Sequence, residues 1–466
     1  MNQHQVGIAE STCSAVFTAT SVAHGGSALL SINALSQIAL ERARTAREAV
    51  LVMGELSEKF GFYGASSSME GGGESLIVTD TNEGWVFHIL ADPTGTSSIW
   101  VAARVPDGHV AVVANMFSIR TVDLSDTANF LGRTDMWDIA QQHGLWTPGQ
   151  VKDWTATFSD GEYAHKYYSG RRMWAVLRLV SPNTSLAAEY NNLKMDAPYP
   201  FSVPVTAAEA GPELAFRVMR DFYNATEFNL SSHPAGGPFG TPDRFGGQEA
   251  GDAVPVSGNW ERAIGLFRTA ESYVLQTHSF TSVSKSAVRG LSAEPKRGGL
   301  GSGVVWFGAH AALYTVYTPV LSGGLLNVPT SLSRGWQGVY DLSTNFWASR
   351  SLALLAQVKW NYMMPAVQAL QGQLERASLD LVQNVMDKYE AEAMSLKDVE
   401  SVLSDNAGSA VSKSLELFHK LVFKYADGFV NTWVGDGAAA HFTSSSPGYP
   451  GWWLQSVGYP LGPPPV

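Results

Sequence analysis

One cysteine in 466 residues, Cys13, excludes an intrachain disulfide and any zinc or iron–sulfur cage built from several thiolates. Charge is also scarce. Only 16% of residues are charged, the net charge is -11, and no run of Lys and Arg offsets it, which argues against a phosphate backbone as partner. No uninterrupted apolar run approaches the roughly eighteen residues of a membrane-spanning helix. The opening Met1-Asn-Gln-His-Gln5 lacks the basic-then-apolar layout of a secretory signal. The expectation is therefore a cytoplasmic protein, or a secretory or lysosome-like one whose true start lies upstream. Gly-x-Ser-x-Gly, the phosphate-binding Gly-x-x-x-x-Gly-Lys-Ser/Thr and His-Glu-x-x-His are all missing, and the eleven histidines are too scattered for a local metal pair. No cofactor is expected.

What the chain does have is apolar and aromatic bulk. The apolar fraction is 45%, with 14 Trp, 16 Tyr and 21 Phe, enough to fill a large core and line concave pockets. Residues 6–17 read as extended. A helix pair follows: residues 29–44 carry Ile32, Leu35 and Ile38 at helical spacing, and Thr45-Ala-Arg-Glu48 matches a capping box for a second helix ending at Gly61. A Ser/Gly loop spans 65–73. Four strands are predicted next, over 74–79, 84–90, 97–105 and 109–120, separated by turn sequences such as Asp92-Pro-Thr-Gly95 and Pro106-Asp-Gly108. The fourth is nearly all apolar and runs into a polar Asn115.

Further strands are predicted over 267–277, 303–307 and 313–319. Helices follow, from 346 to about 390 with breaks near Pro365 and Gly372, and from Ser395 to about Tyr425 behind the cap Ser395-Leu-Lys-Asp398. The expected division is one domain over 1–434, helical from about 346, and a Gly/Pro-rich tail over 435–466 held to the body by Trp452 and Trp453. Sequons occur at Asn183, Asn224 and Asn229, and chance alone supplies one or two in a chain of this length. Strands and helices are grouped rather than alternating, which predicts an α+β sandwich with antiparallel sheets between helical layers.

Five segments in order resemble the dipeptidase family of N-terminal-nucleophile hydrolases. They are Met1-Asn-Gln-His-Gln-Val-Gly-Ile-Ala-Glu-Ser-Thr12, Glu41-Arg-Ala-Arg-Thr-Ala-Arg-Glu48, Gly73-Glu-Ser-Leu-Ile-Val78, Ile99-Trp-Val-Ala-Ala-Arg-Val-Pro-Asp-Gly-His-Val110 and Val113-Ala-Asn-Met-Phe117. The resemblance implies a four-layer αββα fold with additional C-terminal helices, and hydrolysis of short peptides or related amides through a cysteine thioester. It leaves a homo-oligomer open. In that family the cysteine is exposed at the mature N-terminus within Cys-Thr-Thr or Cys-Thr-Asn, and the stretch like Asn2 to Val6 lies several tens of residues beyond it. This sequence begins at that stretch, so the expectation is that the nucleophile lies upstream. Cys13 reads as a packing residue, since its use as nucleophile would require cleavage after Thr12. By resemblance, Asn2 and Asn115 would donate to the oxyanion, and Arg172, or Arg171 in its place, would steady the site or hold a substrate carboxylate. A catalytically dead relative serving as a binding component and an amidase of acylated amines are the rival readings.

Overall fold

In a computed structural model, residues 1–65, 72–162, 166–187, 199–206, 209–232, 234–247, 256–278, 303–323, 327–391 and 393–459 are described. The chain divides into two compact units. One comprises Met1–Leu214, Leu275–Val305 and Leu321–Gly324, and the other Ala215–Val274, Trp306–Val320 and Leu325–Val466.

The first unit is built on an antiparallel sheet. Strands β1 (Gly7–Ser14), β2 (Gly72–Thr79), β3 (Gly84–Ala91) and β4 (Ser98–Val105) pair in sequence, and the sheet continues beyond β4 with Phe130–Gly132. Alternation gives the sheet two apolar faces. Val6, Ile8, Leu76, Val78, Trp85, Phe87 and Trp100 pack with helices α1 (Ile32–Arg42) and α2 (Ala46–Phe60). Cys13, Val86, Leu90, Ile99, Val101 and Ala103 face the other way, toward Phe117, Trp154 and Phe158. A sheet buried on both sides reads as near-continuous apolar strands, and β3 and β4 do.

Both helices start where side chains cap them. Ser31 Oγ accepts the Ala34 N–H, and Thr45 Oγ1 accepts the Glu48 N–H at 3.1 Å. The expected capping box is modified, because Glu48 reaches back one residue further, to the Arg44 N–H at 2.7 Å. At Gly61 the backbone turns to φ 74°, which ends α2. The predicted loop over 65–73 falls mostly on residues 66–71, outside the described residues.

The fourth predicted strand differs. Only β5 (His109–Ala111) is extended, and it pairs with a later strand, Ser202–Pro204, instead of β4. The place beside β4 is taken by β6 (Phe130–Gly132). Residues 112–120 are irregular because their N–H groups find other acceptors: His88 Nε2 takes those of Ser118 and Ile119. Short helices α3 (Met136–Gln142) and α4 (Trp154–Phe158) follow. A π-type turn, Lys166–Gly170, then leads into α5 (Arg171–Val180), and β7 (Ser202–Pro204) completes the pair with β5.

After α6 (Pro212–Met219), the strands β8 (Glu271–Gln276), β9 (Val304–Ala309) and β10 (Thr318–Leu321) pair in the order β10-β9-β8. The second unit holds the short helix α7 (Thr330–Ser333) and three longer ones, α8 (Asn345–Ala356), α9 (Trp360–Glu390) and α10 (Leu396–Lys424). The predicted breaks at Pro365 and Gly372 do not occur. Helix α9 runs through both, and the interruption sits earlier, in the single 3-10 turn Gln357–Lys359. Pro365, close to the start of α9, removes one backbone bond without stopping the helix. Gln371 and Glu375 of α9 bind the loop between β9 and β10. The Gln371 amide donates to Thr315 O at 2.8 Å, and Glu375 accepts the Tyr317 N–H at 3.0 Å and pairs with Arg220. After α10 come a hairpin, β11 (Val430–Val434) with β12 (His441–Ser445), which straddles the expected boundary at 434/435, and α11 (Gly451–Ser456). Among the described residues no helix is long and apolar enough to cross a membrane. The architecture is thus α+β, with several antiparallel sheets and long C-terminal helices.

Candidate functional site

Asn115 stands in the irregular segment after β5 with a left-handed backbone, φ 53°. Four contacts hold it. Its N–H donates to Ser11 Oγ (3.0 Å), Nδ2 donates to Thr12 O (2.8 Å), Oδ1 accepts from Arg172 Nη1 (3.0 Å), and its carbonyl accepts from Ser169 Oγ (3.4 Å). Binding Oδ1 to a guanidinium fixes which way the carboxamide is turned. Nδ2 carries two hydrogens and spends one on Thr12.

Arg172 lies in the first turn of α5. Besides Asn115 it donates to Tyr168 O (2.5 Å) and Ala114 O (3.1 Å), and its guanidinium lies 4.7 Å from the centre of the Tyr168 ring. Arg171, the alternative, is 1% exposed and lies 5.7 Å from the Trp174 ring, inside the unit. Of the two arginines, it is Arg172 that binds Asn115.

Asn2 is elsewhere. Its Nδ2 donates to Leu40 O (2.9 Å) and Ala43 O (2.8 Å) at the end of α1, and Oδ1 accepts the N–H groups of His4 and Val6. All four hydrogen-bonding positions of the carboxamide are filled, so it closes the C-terminus of α1 and has no donor left for another partner.

Cys13 is 2% exposed, next to the last residue of β1, with its Sγ 3.4 Å from Ser11 O. Burial pushes its thiol well above the usual range, the carboxyls of Glu162, Glu74 and Glu10 push the same way, and Arg172 only partly opposes them. A thiol held protonated is a poor nucleophile. The carboxyls themselves are perturbed. Glu74, 1% exposed and opposite Thr12 across β1 and β2, is pushed up to about 10 by burial and by its hydrogen bond to Glu10. Glu162, 5% exposed, is pushed up to about 7 by burial, and its Oε1 has no partner among the described residues. Both are proton-holding groups at neutral pH or near it.

Below Cys13 in the same core lies His88, fully buried, with Nδ1 2.7 Å from Ser75 Oγ and Nε2 accepting the Ser118 N–H at 2.9 Å. Burial lowers it to about 3, so the ring is neutral and organises the irregular strand rather than reacting. Sequence reasoning missed Ser11, Glu162 and His88. Glu74 left one readable sign, since it occupies the core-facing phase of β2 shared by Leu76 and Val78. Glu162 left none, because its neighbours come from Ser159, Ser14 and Phe117.

The chain is similar to several known proteins. The chain is 25% identical over 287 residues to a probable dipeptidase of Latilactobacillus sakei, covering 61% of this chain and 50% of that protein. It is 23% identical over 247 residues to a probable dipeptidase of Salmonella dublin (52% and 47%), and 21% identical over 358 residues to dipeptidase A of Lactobacillus helveticus (76% and 62%). The chain thus spans about half to three fifths of the length of these relatives. The family pattern of peptidase family C69 matches residues 2–373, and the chain accordingly belongs to peptidase family C69.

Proposed function

We propose that the first unit carries the amide-bond chemistry of a dipeptidase, with short peptides as substrates and Asn115 and Arg172 as the groups that receive negative charge. The observation that supports this reading is the Arg172–Asn115 contact at 3.0 Å, which turns the carboxamide nitrogen toward β1, where one of its two hydrogens goes to Thr12 O. When a sulfur attacks the amide carbon, charge develops on the carbonyl oxygen. An oriented N–H donor beside a guanidinium stabilises that charge more than it does the neutral carbonyl, which lowers the barrier. In this reading the attacking sulfur is not Cys13, because burial pushes its thiol well above the usual range. In this reading the sheet begun by β1, with α1 and α2 over one face, is half of a four-layer αββα sandwich, and residues 435–466 are an appended tail.

A second reading has specific support. Cys13 is the one cysteine of the chain, and its burial supports reading the chain as a catalytically dead family member that serves as a binding or structural component. Incubation with alanyl-phenylalanine separates the cases. The chain by itself should release no amino acid, and Cys13→Ala should change nothing. Turnover that survives Cys13→Ala would overturn the assignment of the chemistry to a cysteine thioester, and turnover abolished by Cys13→Ala would make Cys13 the nucleophile.

A further inference from the structure

A cavity of about 460 Å³ opens in the second unit, where residues 231–232 and 237–240, the start of α9 and residues 450–452 come together. Sites for small molecules span roughly 300–1,000 Å³, so a short ligand fits. The walls are tied to one another. The Asn361 N–H donates to Phe239 O at 3.0 Å, the Tyr362 hydroxyl donates to Pro447 O at 3.4 Å, and the Phe239 ring lies 5.4 Å from that of Tyr449. Two of the lining residues, Pro450 and Trp452, lie beyond residues 2–373, so the family pattern does not account for this hollow.

The lining divides by chemistry. Trp360, Trp452, Pro238, Pro365, Pro450 and Met364 supply apolar surface, and Asn361, Gln368, Ser231 and Ser232 supply the polar part. Among the described residues no ionisable side chain lines it. A charged ligand would lose hydration here with no counter-charge in return. Ser231 Oγ donates to Asn229 Oδ1 at 2.8 Å, whereas among the described residues no hydrogen bond engages the side chains of Ser232, Asn361 and Gln368. A carboxamide and a hydroxyl each donate and accept, so this wall matches ligand groups that do both. Alcohol hydroxyls do; a peptide carbonyl only accepts. The indole and proline rings match a ligand with a flat C–H face. A pyranose combines the two, with hydroxyls around its rim and C–H bonds on its faces.

We propose that this cavity binds a short neutral saccharide, one ring stacked on Trp452 and its hydroxyls bonded to Asn361, Gln368 and Ser232. Every lining residue belongs to the second unit, so the proposal stands apart from the amide chemistry assigned to Asn115 and Arg172.

The test is titration of the full chain with maltotriose, cellotriose and triacetylchitotriose, followed by tryptophan fluorescence and calorimetry. Trp452 is 43% exposed, so a sugar ring covering it should shift its emission to the blue. Expected is saturable binding of at least one trisaccharide, insensitive to added salt because no charge takes part. Trp452→Ala should abolish this binding, and Gln368→Ala, on an exposed side chain of α9, should weaken it on the order of tenfold, both with the parent's urea midpoint. Should Trp452→Ala lower that midpoint, Gln368→Ala alone reads the contact. Binding of none of the three overturns the proposal, and so does binding that Gln368→Ala leaves unchanged, which places the sugar elsewhere. Saturable binding of hexaproline in place of the saccharides makes the cavity a polyproline groove and overturns it as well.

Discussion

At Asn115 the backbone is left-handed, a conformation that costs most residues about 1–2 kcal/mol and that asparagine tolerates better. Asn115→Ala should therefore destabilise the chain by about 2–3 kcal/mol, the backbone cost plus lost hydrogen bonds of about 1 kcal/mol each. Asn115→Gly should lose about 1 kcal/mol less than Asn115→Ala, because glycine adopts this φ freely. Urea midpoints of the two variants check the difference. The buried titratable groups give predictions of opposite sign. His88 is lowered from 6.5 to about 3, so its contribution is complete above pH 6.5 and is lost as pH falls toward 3, by about 1.4 kcal/mol for each step of one in pH. Glu162 is raised from 4.5 to about 7, so its contribution is complete below pH 4.5 and is lost as pH rises through 7. Glu162→Gln should consequently be more stable than the parent at pH 8, by about 2–3 kcal/mol, and the gain should vanish at pH 4. Equal stability of the two at pH 8 would show that the carboxyl ionises freely in the fold.

Helix α2 shows how an element is fixed by its closest approach. A methyl group at Gly54 would lie 2.3 Å from the Trp100 ring of β4, nearer than packed carbon atoms come. Alanine at that position gains roughly 1 kcal/mol in helix propensity and forces the helix off the sheet at a cost of about 1–3 kcal/mol or more. Gly54→Ala should therefore lower the thermal midpoint although glycine is the poorer helix former, and a rise would mean that α2 can slide without loss. Capping gives the smaller effect. Ser395 begins α10 with both halves of a capping box, its Oγ accepting the Asp398 N–H and Asp398 accepting the Ser395 N–H at 3.0 Å. Ser395→Ala should cost about 1 kcal/mol, read from the urea midpoint. These caps were legible in the sequence because a cap is written in four adjacent residues. The fourth strand was not. Apolar content over 110–114 gave the right burial for Val112 and Ala114, but it could not show that a histidine two strands away would accept the N–H groups that a neighbouring strand would otherwise bind.

For the molecule as a whole, the single thiol offers a direct reading of how far the fold must open. Cys13 sits in the core with Val86, Phe117 and Trp154, so no motion of surface loops alone uncovers it. Labelling with an excess of a thiol reagent should be negligible for the native chain and complete in denaturant, and its midpoint should follow that of tryptophan fluorescence. Labelling well before that midpoint would mean that the β1 edge opens independently of the core. The same measurement bears on the proposed chemistry, since a sulfur that labels rapidly in the native state would be available to attack.

The sequence by itself determined the α+β class, the helix pair with its caps, three of the four predicted meander strands, the C-terminal helices and the family. Each of these is encoded in local periodicity, in turn residues or in motifs read in order along the chain. Only the tertiary structure decided which candidates meet. Asn2 and Asn115 look alike in sequence, yet the first spends its whole carboxamide on the end of α1 while the second is held against β1 by Arg172, 57 residues away. A hydrogen bond is satisfied by whichever groups the fold brings within about 3 Å, and distance along the chain carries no record of that choice.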